Sequence, residues 1–216
     1  MIGRLIWIGA LLTVGAGTAG IQLDRQARYV PTLASSVPEP FRAFSQRHKT
    51  VDALTAEQHK LALEDARALV ARRPMPAEHL RLLSLAEVNA GEAEKGVYSI
   101  QLAARRGWRD RPAQRTMFQL ALAAGDEPEA ARRFAALFVR RSETDAELRA
   151  LAVSLFSAEN QAARSTFAQI VADAERWHRI YLRKGPVVFS PTVFVELTER
   201  AVAQGAQFDC ARVRTA

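Results

Sequence analysis

Apolar residues recur at helical spacing along most of this chain, beginning with one uninterrupted run. From Leu5 to Leu23, LIWIGALLTVGAGTAGIQL, no residue is charged; Arg4 precedes the run and Asp24 ends it. As a helix the run is about 28 Å long, close to the hydrocarbon thickness of a bilayer. It predicts a membrane anchor or a cleaved secretory signal, with Val14-Gly15-Ala16 or Gly17-Thr18-Ala19 as the small-residue cleavage motif. Ile21, Gln22 and Leu23 lengthen the uncharged stretch and favour the anchor. Either reading exports the rest of the chain, held on the periplasmic side of an inner membrane or released into the periplasm. Arg25, Arg28 and Arg42 lie just after the run and argue the other way by the positive-inside rule.

Residues 24–52 read as a spacer, because Pro31, Pro38 and Pro40 around Ser35-Ser36 prevent a long helix. Phe41 and Phe44 are three apart, so a short helical turn puts both rings on one side. Beyond residue 52 the apolar period is helical throughout. Ala130, Phe134, Leu137 and Phe138 lie at offsets 0, 4, 7 and 8. The same offsets recur at Ala62, Ala66, Leu69 and Val70, at Gly96, Ile100, Ala103 and Ala104, and at Ala163, Phe167, Ile170 and Val171. The starting positions 62, 96, 130 and 163 are separated by 34, 34 and 33 residues. Amphipathicity alone does not impose that spacing; a repeat does. Partner helices between these segments carry Leu83, Ala86 and Ala90, then Met117, Leu120, Ala121 and Ala124, then Leu148, Leu151, Ala152 and Leu155. Gly91 and Gly125 suit the left-handed backbone at a helix end. Asp126 with Glu129 and Thr144 with Glu147 have capping-box spacing, and Pro112 and Pro128 fall in first turns. Each unit is a helical hairpin with a face it cannot bury alone, so an all-α solenoid of stacked hairpins is expected.

With its 34-residue period, its Gly125-Asp126 turn and the Ala130/Phe134 pair after it, the segment 53–172 resembles the tetratricopeptide-repeat family. Gly91, Gly96 and Ile100 repeat that pattern, and Pro74 falls where the family often ends a repeat. Leu80 and Gln114 stand at the usual aromatic position, and Trp108 and Ser142 where proline is usual. The resemblance implies a short right-handed α-solenoid whose first helices line a groove for an extended peptide or its terminal carboxylate. Carried over position by position, the groove residues are Arg81 and Asn89 in one repeat and Arg115 and Gln119 in the next, with Ala123 where Asn89 would recur.

Residues 173–216 lose the 34-residue rhythm and read as a C-terminal cap. The stretch ERWHRIYLRKGPVV is expected to break at Gly185-Pro186, with Val187, Val188 and Phe189 extended. Ser190 then caps a helix that begins at Pro191, carries Phe194, Leu197 and Ala201, and ends at Gly205.

Composition changes the picture mainly through charge. The 216 residues carry a net charge of +7 at a sequence pI near 10.3, so anionic partners enter. The lysines are Lys49, Lys60, Lys95 and Lys184 alone, the rest of the positive charge being arginine. Without lysine runs, and with 7% aromatic residues, the composition argues against a nucleic-acid partner. The single cysteine, Cys210, excludes an intrachain disulfide and reads as an inert packed thiol. His48, His59, His79 and His178 are scattered without a metal-binding spacing, and no phosphate loop or nucleophile elbow is present, so neither cofactor nor catalysis is expected. Glu196 and Glu199 lie one turn apart and read as a solvated face. Two further clusters are candidates for an anionic glycan or lipid headgroup. One is a ladder of Arg72, Arg106 and Arg140 at the ends of successive second helices, where arginine also complements the helix dipole. The other is Trp177 and Tyr181 among arginines, where packing beneath arginine stems is the alternative. The expectation is a non-catalytic, envelope-associated scaffold for a protein partner, with an anionic-polymer or lipid-binding module as the alternative.

Overall fold

The computed structural model describes residues 2–139 and 144–209. Helix α1 spans Ile2–Ala27 and is long and apolar enough to cross a membrane. Two 3-10 turns follow, Pro31–Ser36 and Glu39–Phe41. Then come α2 (Ser45–Thr55), α3 (His59–Arg72), α4 (Ala77–Asn89) and α5 (Ala93–Arg106). These, with α1, make one compact unit that ends at Gly107. The second unit begins at Trp108 and holds α6 (Arg111–Ala123), α7 (Glu127–Phe138), α8 (Asp145–Leu155), α9 (Gln161–Asp173), α10 (His178–Val188) and α11 (Pro191–Ala203). Among the described residues no strand forms. The fold is all-α.

The repeat has a local cause. Helices α3, α5, α7 and α9 begin at His59, Ala93, Glu127 and Gln161, each 34 residues after the last. Gly91 and Gly125 take φ of 84° and 70°. Each lets the next amide turn back: Glu92 N–H donates to Glu87 O and Asp126 N–H to Ala121 O, both within 2.9 Å. The preceding joint, 34 residues before Gly91, uses Glu57 at φ 56°, with Gln58 N–H on Ala53 O at 3.0 Å. The expected caps form: Asp126 accepts from Glu129 N, Ser190 from Val193 N, and Thr144 with Glu147 makes a full capping box.

Glu57 reveals a correction. The segment 24–52 is more than a spacer, because residues 45–52 begin α2, the first helix of a hairpin with α3. The prolines do prevent a long helix, but they seat the two 3-10 turns, and a helix starts at Ser45 once they are past. A second correction concerns Gly185-Pro186, which does not break the chain. α10 runs through both to Val188, so Val187 and Val188 are helical. Gly185 is there for closeness: a Cβ on it would come within 2.4 Å of the Phe194 ring of α11. Pro186 sits near the end of α10, where one missing N–H removes a single helical bond.

The two cores differ in chemistry. In the first unit, small residues such as Ala62, Ala66 and Ala86 let helices approach, and buried polar pairs fix their register. Ser84 Oγ donates to Gly96 O at 2.7 Å, Ser99 Oγ to Glu87 Oε2 at 2.6 Å, and Gln46 Nε2 to Asp65 Oδ1 at 2.7 Å. In the second unit Phe134, Phe138, Phe156, Phe167, Phe189 and Tyr181 form one aromatic cluster. Phe134 alone has five phenylalanine neighbours with centroids 5.3–6.5 Å away. The C-terminal helices belong to this core: α11 packs on α9 and α10 on α8. α9 rests mainly on α7 and α11, so the last repeat is not a simple hairpin of α8 on α9.

Candidate functional site

The first unit is built onto the end of α1. Gly20 gives Phe41 room to lie on the helix, since a Cβ there would sit 2.5 Å from the ring. One turn on, the Asp24 carboxylate accepts hydrogen bonds from Ala43 N (3.1 Å), Phe44 N (2.9 Å), Ser45 N (2.9 Å) and Ser45 Oγ (2.7 Å). Phe44 and Ser45 are the N-cap and first residue of α2, so a residue of α1 caps another helix. Asp24 and Ala27 are buried by this contact, whereas most of α1 before Gly20 is bare.

The outward face of α4 is the second feature. Glu78, Arg81, Leu85, Val88 and Asn89 fall on one arc of the helix, beside the arc of the buried Leu82, Ala86 and His79. Leu85 is 46% exposed and Val88 48%. Glu78 ties the start of this face to α2, with Arg47 Nη2 at 2.6 Å and Arg81 at 3.7 Å. Burial works to raise the Glu78 carboxyl, but the Arg47 hydrogen bond and charge outweigh it and hold it below the usual glutamate range. Of the predicted groove residues, Arg81 is half-buried beside Glu78 and Asn89 is exposed. In the second unit Arg115 and Gln119 share a face of α6; Arg115 reaches Glu147 at 3.4 Å, and Gln119 is exposed. Arg111 joins the same carboxylate at 3.1 Å. Bonds from Thr144 first, and then these arginines, lower the Glu147 carboxyl.

The arginine ladder takes a different form. Arg72 Nη1 donates to Arg42 O at 3.0 Å, and Arg106 Nη1 to Pro74 O at 2.6 Å, so both staple a helix end to a preceding loop. Arg140 and Cys210 lie outside the described residues. Trp177 is half-buried against the second core. Tyr181 is 1% exposed, its hydroxyl 2.9 Å from Thr198 Oγ1, and burial pushes its phenol above the ordinary range. Tyr181 therefore offers no ring face to a ligand. Glu196 pairs with Arg164 and Arg200. Among the described residues no three His, Cys, Asp or Glu side chains come together as a metal cluster.

Sequence reasoning did not find Asp24, Leu85 or Val88. The last two carry a usable signal, since they are aliphatic residues off the Leu83/Ala86/Ala90 stripe and on the Arg81 side of the same helix. Asp24 has none: its donors lie 19–21 residues away. Comparison with protein-family models, with curated proteins and with solved structures gives no match.

Proposed function

We propose that this chain is a non-catalytic adaptor of the cell envelope, held in the inner membrane by α1 with its helical units on the periplasmic side. Its hairpins stack in the manner of tetratricopeptide repeats, as a short right-handed solenoid, and the face of α4 receives an extended segment of a protein partner. The observation that carries this reading is the exposed pair Leu85 and Val88, framed by Arg81 and Asn89 on the face that the repeat resemblance assigns to a peptide. Apolar side chains give such a surface affinity, and the flanking polar groups give it register. The Asp24 joint adds a fixed attachment, so the face meets its partner from a defined position relative to α1.

The reading is tested by placing a photo-crosslinking amino acid at Leu85 in the full chain in its native membranes. One discrete protein adduct is expected, lost in the Val88→Glu and Arg81→Glu variants. Crosslinks to lipid alone, or an adduct that survives both substitutions, would remove the groove.

A further inference from the structure

A recess of about 390 Å³ opens in the first unit where the chain leaves α1. Its walls are cationic: Arg28, Arg47 and Arg73 line it with His48 and His79, against one carboxylate, Glu78. Glu78 is matched by Arg47, whose Nε and Nη2 lie 2.9 and 2.6 Å from the same oxygen. Arg28 and Arg73 form no ion pair among the described residues. Instead both stand over one ring, with their guanidinium carbons 5.4 and 4.0 Å from the Phe44 centroid. A ring face attracts a cation but does not neutralise it, so both guanidiniums line the recess with no carboxylate paired to them among the described residues. The backbone of Phe44 is held in turn by its amide on Asp24.

His79 lies in the same wall; it is 2% exposed, and its Nδ1–H donates to Arg73 O at 2.8 Å. Burial first, then the neighbouring Arg73 charge, lowers its pKa. Depth points the same way. Arg28 lies five residues beyond Leu23, or about 7 Å past the apolar run, which is the headgroup layer if α1 crosses a bilayer. Tyr29, 77% exposed beside it, is the residue type that favours that layer.

We propose that this recess binds a phosphate oxyanion, the phosphate of an anionic membrane lipid, with Arg28 and Arg73 as its guanidinium ligands. Two planar forks match the tetrahedral oxygens of a phosphate better than they match a lone carboxylate. The lipid source rests on the membrane reading of α1; the anion chemistry does not.

The test uses the full chain purified in detergent. Native mass spectrometry with added phosphatidylglycerol, and with phosphatidylcholine as the neutral control, reads lipid retention. Wild type should hold phosphatidylglycerol about tenfold or more tightly than R28Q/R73Q. R28Q alone, at an exposed side chain, should fall between them, and R105Q should match wild type. Equal retention by R105Q and R28Q/R73Q would make the effect one of bulk charge and overturn the site. In a second arm, inorganic phosphate titrated without lipid should move the His79 ring resonances of wild type but not of R28Q/R73Q. A phosphate response without lipid retention would keep the oxyanion site and assign it to a soluble ligand. Failure of both probes with wild type would end the proposal. The Leu85→Glu variant should keep full lipid retention, so loss of the adaptor reading and loss of this site are separable.

Discussion

Asp24 does the work of three or four residues. Its two oxygens receive three backbone amides and a hydroxyl, all from residues 43–45 at the entry to α2, and it is 3% exposed while doing so. An N-cap contributes about 1 kcal/mol, and a buried donor left without an acceptor costs about 1–3 kcal/mol. Asp24→Ala is therefore expected to destabilise the first unit by about 2–3 kcal/mol. Asp24→Asn, which keeps one acceptor oxygen, should cost less. Denaturant unfolding of the detergent-solubilised chain measures both, and limited proteolysis should find a new cleavage near Ala43 in the alanine variant. Unchanged stability together with an uncleaved 42–45 segment would mean that the joint is held by something other than this carboxylate.

At the scale of elements, the 34-residue rhythm is set by where one residue of each joint turns left-handed. Positions 57, 91 and 125 all do so, but only two of them are glycine. An L-residue in that region is strained by about 1 kcal/mol, whereas glycine is not. Glu57→Gly should therefore stabilise the chain by up to about 1 kcal/mol, and Gly91→Ala should destabilise it by a similar amount. Opposite shifts in thermal melting are the expected reading, and a destabilised Glu57→Gly would show that its side chain, not its backbone, closes the joint. The same residues explain what could be read in advance. Gly91 and Gly125 announced their joints, and the four apolar quartets announced the buried faces of α3, α5, α7 and α9, all of whose members are buried or half-buried. Glu57 announces nothing, so α2 stayed hidden behind the prolines that precede it. At Gly185-Pro186 two residues that normally punctuate a chain were instead a close contact and a tolerated ring. The candidate site was legible only in part, because Arg81 and Asn89 follow from position in a repeat. The recess needs Arg28, Phe44, Arg73 and His79 brought together from four separate stretches.

For the molecule as a whole, the decisive matter is how much of α1 the fold uses. Its last two turns are buried at Gly20, Asp24 and Ala27, and the helix before them makes almost no contact. A leader cut after Ala16 or Ala19 would leave every one of those contacts in place, so the fold tolerates either fate and does not choose between them. The membrane does. Exposed Ile2, Leu5, Ile6, Trp7, Leu11 and Leu12 form an apolar surface that water disfavours by about 25 cal/mol per Å², and the adaptor reading covers it with lipid. Under the adaptor reading the chain keeps that helix: peptide mapping of the protein from its own cells should recover residues 5–16, ahead of both cleavage motifs, and carbonate washing should leave it in the membrane pellet. A mature protein that begins at Gly17 or Gly20 and appears in the wash would keep the Asp24 joint but release the fold from the bilayer. Arg28 would then face bulk water, and of the two ligand sources for its recess only the soluble phosphate would remain.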